Sequence, residues 1–109
     1  MKRYGSVIGV RPEHIAEYKR IHAAVWPAVL KQIERSNIRN YSIYLKEPEN
    51  LMFAYFEYHG TDYEADMAAM AADETTQEWW KVCSPMQAPF ETRRKGEWWA
   101  QMEEVFHTE

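Results

Sequence analysis

The sequence predicts an α+β fold, an antiparallel sheet with helices on one face, built as a single domain over residues 1–109. Three observations point there. Segments with strand period and segments with helix period alternate along the chain. A length of 109 residues and 13.0 kDa suits one compact domain and is too short for two. Apolar residues make up 46%, with five Trp, seven Tyr and four Phe, which supplies a core and argues against disorder.

The elements follow in order. Tyr4 to Val10 reads as a first strand. Pro12 suits a first helical position, where its missing N–H costs nothing, and Glu13 sits at the positive end of the helix dipole. Ile15, Tyr18, His22, Val25, Val29 and Ile33 then recur at three- and four-residue steps, the buried stripe of a long helix. An interior proline removes a backbone bond, so a kink or restart is expected near Trp26-Pro27, with Asn37 as the stop. Ile38 to Leu45 and Leu51 to Tyr58 read as two strands joined by the five-residue loop Lys46 to Asn50. In the first, Tyr41, Ile43 and Leu45 share a face. The second is apolar on both faces, which calls for cover on both sides of the sheet. In so small a chain the second cover is expected to be another subunit. Thr61 with Glu64, and Thr75 with Glu78, match capping boxes opening two further helices, the second carrying Trp79, Trp80 and Lys81. Pro85 and Pro89 introduce an irregular stretch to about Gly96, and Met102 to His107 reads as the last strand. Strand, helix, strand, strand, helix, strand is the ferredoxin-like βαββαβ order.

Charge and composition exclude several classes. With 13 Lys and Arg against 17 Asp and Glu, the net charge is −4, and Arg93-Arg94-Lys95 is the only basic run. That is no footprint for nucleic acid. The run Val7 to Val10 is far below a membrane span and too short for a signal-peptide core, so no membrane partner is expected. A single cysteine, Cys83, fits a reducing compartment, and a cytoplasmic location is expected. The histidines His14, His22, His59 and His107 lack metal-clamp spacing, and the four scattered glycines make no phosphate loop. Neither a metal nor a cofactor is expected.

Two features carry chemistry. Tyr18 and His22 lie one helical turn apart on an otherwise apolar face, which puts two proton-carrying groups into one seam. Tyr41, on a central strand, is placed to meet them. Alone, His22 reads as a core histidine bonded to a carbonyl. In Trp79-Trp80, adjacent helical residues point about 100° apart, so one ring can face the core and the other a pocket mouth. Such a pair is more often core than ligand site, yet a flat indole suits the C–H face of a sugar ring, with its N–H free for a hydroxyl. Trp98-Trp99 carries the same ambiguity more weakly.

Glu17-Tyr18-x-x-x-His22 with Val25-Trp26-Pro27, Asn40-Tyr41-Ser42-Ile43-Tyr44-Leu45, Trp79-Trp80-Lys81 and Glu104-Val105-Phe106 run from one end of the chain to the other. In this combination and order the chain resembles the L-rhamnose mutarotase family. The resemblance implies a homodimeric ferredoxin-like α/β barrel and an isomerase that exchanges the α and β anomers of a 6-deoxyhexose. It implies His22 as proton donor, with Tyr18, Tyr41, Trp79 and Trp80 holding the sugar. Ring opening needs a proton delivered to the ring oxygen and one removed from the anomeric hydroxyl, with no cofactor. The segment Ser84 to Trp99 departs from the family's Asn-Pro-Asp-Asn-Ser-Pro-like stretch, which leaves the preferred sugar open between L-rhamnose and a relative such as L-fucose. Two rival readings stand beside this one. They are a cofactor-independent monooxygenase or cyclase on the same architecture, and a non-enzymatic ligand-binding module.

Overall fold

The computed structural model describes Met1–Glu109 and places five strands and four helices. The strands are β1 (Lys2–Val10), β2 (Ile38–Lys46), β3 (Leu51–Tyr58), β4 (Gln87–Ala88) and β5 (Ala100–Met102). The helices are α1 (Ile15–His22), α2 (Pro27–Arg35), α3 (Tyr63–Ala72) and α4 (Glu74–Cys83), with single 3₁₀ turns at Pro12–His14 and Ser84–Met86. The sheet runs β2-β3-β1-β4, with β5 also on β1, and every pairing is antiparallel. This is the ferredoxin-like order the sequence predicts. No helix is long and apolar enough to cross a membrane.

Register explains the core. Ile8 pairs with Met52 and Met52 with Leu45, while Ser6 pairs with Ala54 and Ala54 with Ile43. These side chains share one face, and Tyr18, Val29, Trp79, Cys83 and Met86 close over it from the helix side. Ile8 and Met52 are fully buried, each contributing about 1.5–3 kcal/mol. The alternate residues Val7, Leu51, Phe53 and Tyr55, with Tyr44 of β2, point to the opposite face. No helix of this chain covers them, and Phe53 and Tyr44 are exposed. The third strand is therefore apolar on both sides, as its sequence predicts.

The restart expected near Trp26-Pro27 is present, with α1 ending at His22 and Pro27 at the first position of α2. Three other expectations need correction. The caps are Asp62 and Asp73, not Thr61 and Thr75. Asp62 accepts from the Ala65 N–H at 3.1 Å, and Asp73 from that of Thr76 at 2.9 Å. Aspartate outranks threonine at this position, so each helix starts where its carboxylate reaches the free amides. The last strand is not Met102 to His107. Pairing stops at Gly5 opposite Met102, and the chain beyond finds no neighbouring strand, leaving Val105 and Phe106 88% and 78% exposed.

Two local devices place the site. A Cβ on Gly9 would lie 2.7 Å from the Ala88 carbonyl, so only glycine lets β4 close onto β1 and set Gln87 opposite Val10. In β2, Asn40 and Tyr41 stand where β3 has the single residue Phe56, a bulge carried by Asn40 at φ 52°. Asparagine tolerates this left-handed backbone, and bulges re-aim the neighbouring side chain, here Tyr41.

Candidate active site

His22 ends α1 and is half-buried. Its ring stacks on Tyr18 at 4.0 Å between centroids, 13° from parallel, and meets the edge of Trp79 at 5.1 Å. Nδ1 lies 2.8 Å from the Tyr18 carbonyl oxygen. A carbonyl only accepts, so Nδ1 carries the hydrogen in the neutral ring and Nε2 presents its lone pair. Burial lowers the pKa of His22, against a smaller opposing pull from that carbonyl. At neutral pH the imidazole is thus a neutral proton acceptor, held by its other nitrogen.

Tyr18 is buried beside it. Burial pushes its phenol well above the ordinary tyrosine range, while a hydrogen bond from Gln87 acts the other way. Tyr41 is 42% exposed, yet desolvation pushes its hydroxyl up to about 12, with the Cys83 thiol and Tyr63 phenol nearby raising it further. Tyr41 is also close enough to raise the Tyr18 phenol, so the two tyrosines share one neighbourhood. Cys83 lies buried in it, its thiol pushed up to about 11 and so unsuited to act as a thiolate. Beside Tyr18 and His22 opens a pocket of about 130 Å³, walled by Val10, Ile43, Leu45 and Met52. Tyr41 does not itself line this pocket.

The structure brings Tyr18, His22 and Trp79 into direct contact and sets Tyr41 nearby. Trp79 is 7% exposed, packed between His22 and the edge of Trp26 at 5.1 Å. Trp80 is 42% exposed and takes no part in this stack. Three further residues support this stack, of which the sequence marked Trp98 only weakly and Gln87 not at all. Trp26 lies in the break between α1 and α2. Gln87 and Trp98 come from the irregular segment, where indole Nε1–H donates to Gln87 Oε1 at 2.7 Å and Gln87 Nε2 donates to Tyr18 Oη at 3.1 Å. No group of three His, Cys, Asp or Glu side chains is placed to hold a metal ion.

The fold and this geometry define a class first: a small α+β protein with a histidine–tyrosine cluster beside a pocket between its helices and its sheet. A family model described as L-rhamnose mutarotase matches residues 3–108. Curated relatives agree. An L-rhamnose mutarotase from Oceanobacillus iheyensis is 33% identical over 86 residues, 79% of this chain and 80% of that one. One from Bacillus subtilis is 34% identical over 86 residues, with the same coverage. The crystal structure of an L-rhamnose mutarotase from Formosa agariphila superposes with a TM-score of 0.80 over 100% of both chains at 21% identity, which speaks for the fold. The chain belongs to the L-rhamnose mutarotase family. Mutarotases are isomerases, which bears out the resemblance in its motifs and sets aside the monooxygenase and binding-module readings.

Proposed function

We propose that this chain interconverts the α and β anomers of L-rhamnose, with His22 carrying the proton. The anomeric hydroxyl gives its proton to Nε2, directly or through water, and Nε2 delivers a proton to the ring oxygen, so ring opening neither gains nor loses a proton. The bond from C1 to the ring oxygen breaks, the C1 carbonyl forms, and closure after rotation returns the other anomer. The observation that carries this reading is the imidazole fixed through Nδ1 with Nε2 unpaired beside the pocket. Tyr18 and Tyr41 bind hydroxyl groups, Trp79 backs the imidazole, and Trp80 offers its exposed indole face to the sugar. A positioned acid–base group contributes about 10²–10⁴-fold. Magnetisation-transfer NMR with L-rhamnose, L-fucose and related aldoses measures this directly. Faster anomer exchange is expected with at least one 6-deoxyhexose, L-rhamnose foremost, and no effect on any aldose sinks the reading.

The same reading makes the protein a cytoplasmic homodimer joined through the open sheet face. Phe53 and Tyr44 are exposed on the sheet face opposite the helices, with Val7, Leu51 and Tyr55 partly exposed beside them, an apolar surface of a kind monomers rarely leave to water. A twofold pairing of identical faces would bury it. Sedimentation at low micromolar concentration is expected to give twice the chain mass, and a stable monomer there contradicts the dimer.

A further inference from the structure

Gln87 is buried on the two-residue β4, and its side-chain amide joins the irregular segment to the site. Trp98 Nε1–H donates to Oε1 at 2.7 Å, and Nε2 donates to Tyr18 Oη at 3.1 Å. An indole nitrogen can only donate, so the amide oxygen must face Trp98. The amide therefore cannot reverse, and it always presents N–H to Tyr18. Facing a donor there, the Tyr18 oxygen serves as acceptor, and its own hydrogen turns elsewhere in the ring plane. The Gln87 bond is the only one the phenol makes, so that hydrogen is left for a ligand. Trp98 is itself held: the Arg93 guanidinium lies 5.7 Å over its ring and bonds the Phe90 carbonyl at 2.8 Å. The donor sense thus runs one way, from Trp98 through Gln87 to Tyr18.

We propose that Gln87 and Trp98 are positioning residues that hold the Tyr18 hydroxyl as a hydrogen-bond donor to the sugar. The ligand's identity rests on the mutarotase reading. The polarity argument stands on the three side chains alone. A sugar offers acceptors in its hydroxyl and ring oxygens, and a buried donor aimed at one of them favours binding more than it favours the chemical step. The divergent segment acts on the site through this chain of bonds, at one atom of Tyr18.

Gln87→Glu tests it by reversing the polarity. The introduced carboxylate still accepts from Trp98, but it accepts from Tyr18 as well, drawing the phenolic hydrogen away from the sugar. At neutral pH the KM for L-rhamnose is expected to rise about tenfold, the scale of one buried hydrogen bond, with kcat within about twofold of wild type. As pH falls and the carboxyl takes up a proton, it regains a donor and KM returns toward the wild-type value at the same pH. A loss of packing alone has no reason to reverse in this way. A neutral-pH KM equal to wild type, or a rise that persists through protonation, overturns the proposal. Should Gln87→Glu fail to fold, Trp98→Phe keeps an aromatic ring, smaller than the indole, and deletes the N–H, freeing the amide to reverse. A KM about threefold higher supports the proposal, and an unchanged KM overturns it. An inactive wild type ends the mutarotase reading and this inference with it, whereas an active wild type with unperturbed variants ends only the inference.

Discussion

Replacing His22 by Asn is expected to leave a folded protein that exchanges anomers about 10²–10⁴-fold more slowly, the loss of roughly 3–5 kcal/mol of transition-state stabilisation. The helix survives, since histidine and asparagine differ little in helix propensity. What goes is the open Nε2, the one nitrogen in the seam able both to take and to give a proton near neutrality. Sugar affinity is largely kept, because the hydroxyl contacts are assigned to Tyr18 and Tyr41. Magnetisation transfer gives the rate, and saturation with sugar gives the affinity. His22→Asn exchanging at the wild-type rate makes the histidine structural and moves the site elsewhere.

The same side chain sets a pH dependence, and its sign follows from burial. The pKa of His22 is lowered in the folded chain, so the neutral, proton-accepting ring persists below the ordinary value of about 6.5. The acidic limb of enzymatic exchange therefore lies below that value. Stability moves the same way. As pH falls through about 6.5 the unfolded chain takes up the proton first, so this histidine withdraws stability on acidification and restores it as pH rises. His22→Asn removes both effects.

Much of this site is legible in the chain because it lies on regular elements. The i, i+4 step places Tyr18 under His22, and strand alternation puts Tyr41 on the face of Ile43 and Leu45. The exact aim of Tyr41 is not legible, since it depends on the bulge at Asn40, whose left-handed backbone leaves only a weak mark in the sequence. Gln87 is harder still. Nothing in its local pattern marks it, and its role comes from contacts across 69 residues to Tyr18 and 11 to Trp98. The last strand shows the opposite limit. Glu104-Val105-Phe106 has strand chemistry, but a strand needs a neighbour, and within one chain there is none. The open β3 face and this unpaired segment are alike in leaving apolar side chains exposed, Phe53 and Tyr44 in one and Val105 and Phe106 in the other.

Trp79→Ala and Trp80→Ala are expected to separate although the residues are adjacent. Trp79 is 7% exposed and wedged between His22 and Trp26, so truncating it leaves a cavity beneath the imidazole and costs about 3–5 kcal/mol. Domains of this kind hold only about 5–15 kcal/mol in total, so the urea midpoint falls steeply. The surviving folded fraction also loses the edge contact that fixes the His22 ring. Trp80 is 42% exposed on the next face of α4, and surface truncations usually change stability by no more than about 0.5 kcal/mol. Its loss is read in KM, as the indole that borders the sugar in the proposed site. Urea titration and saturation kinetics on the two variants resolve the assignments. Native-like stability in Trp79→Ala denies it a core role, and an unchanged KM in Trp80→Ala takes that ring out of the site and leaves the sugar to the tyrosines.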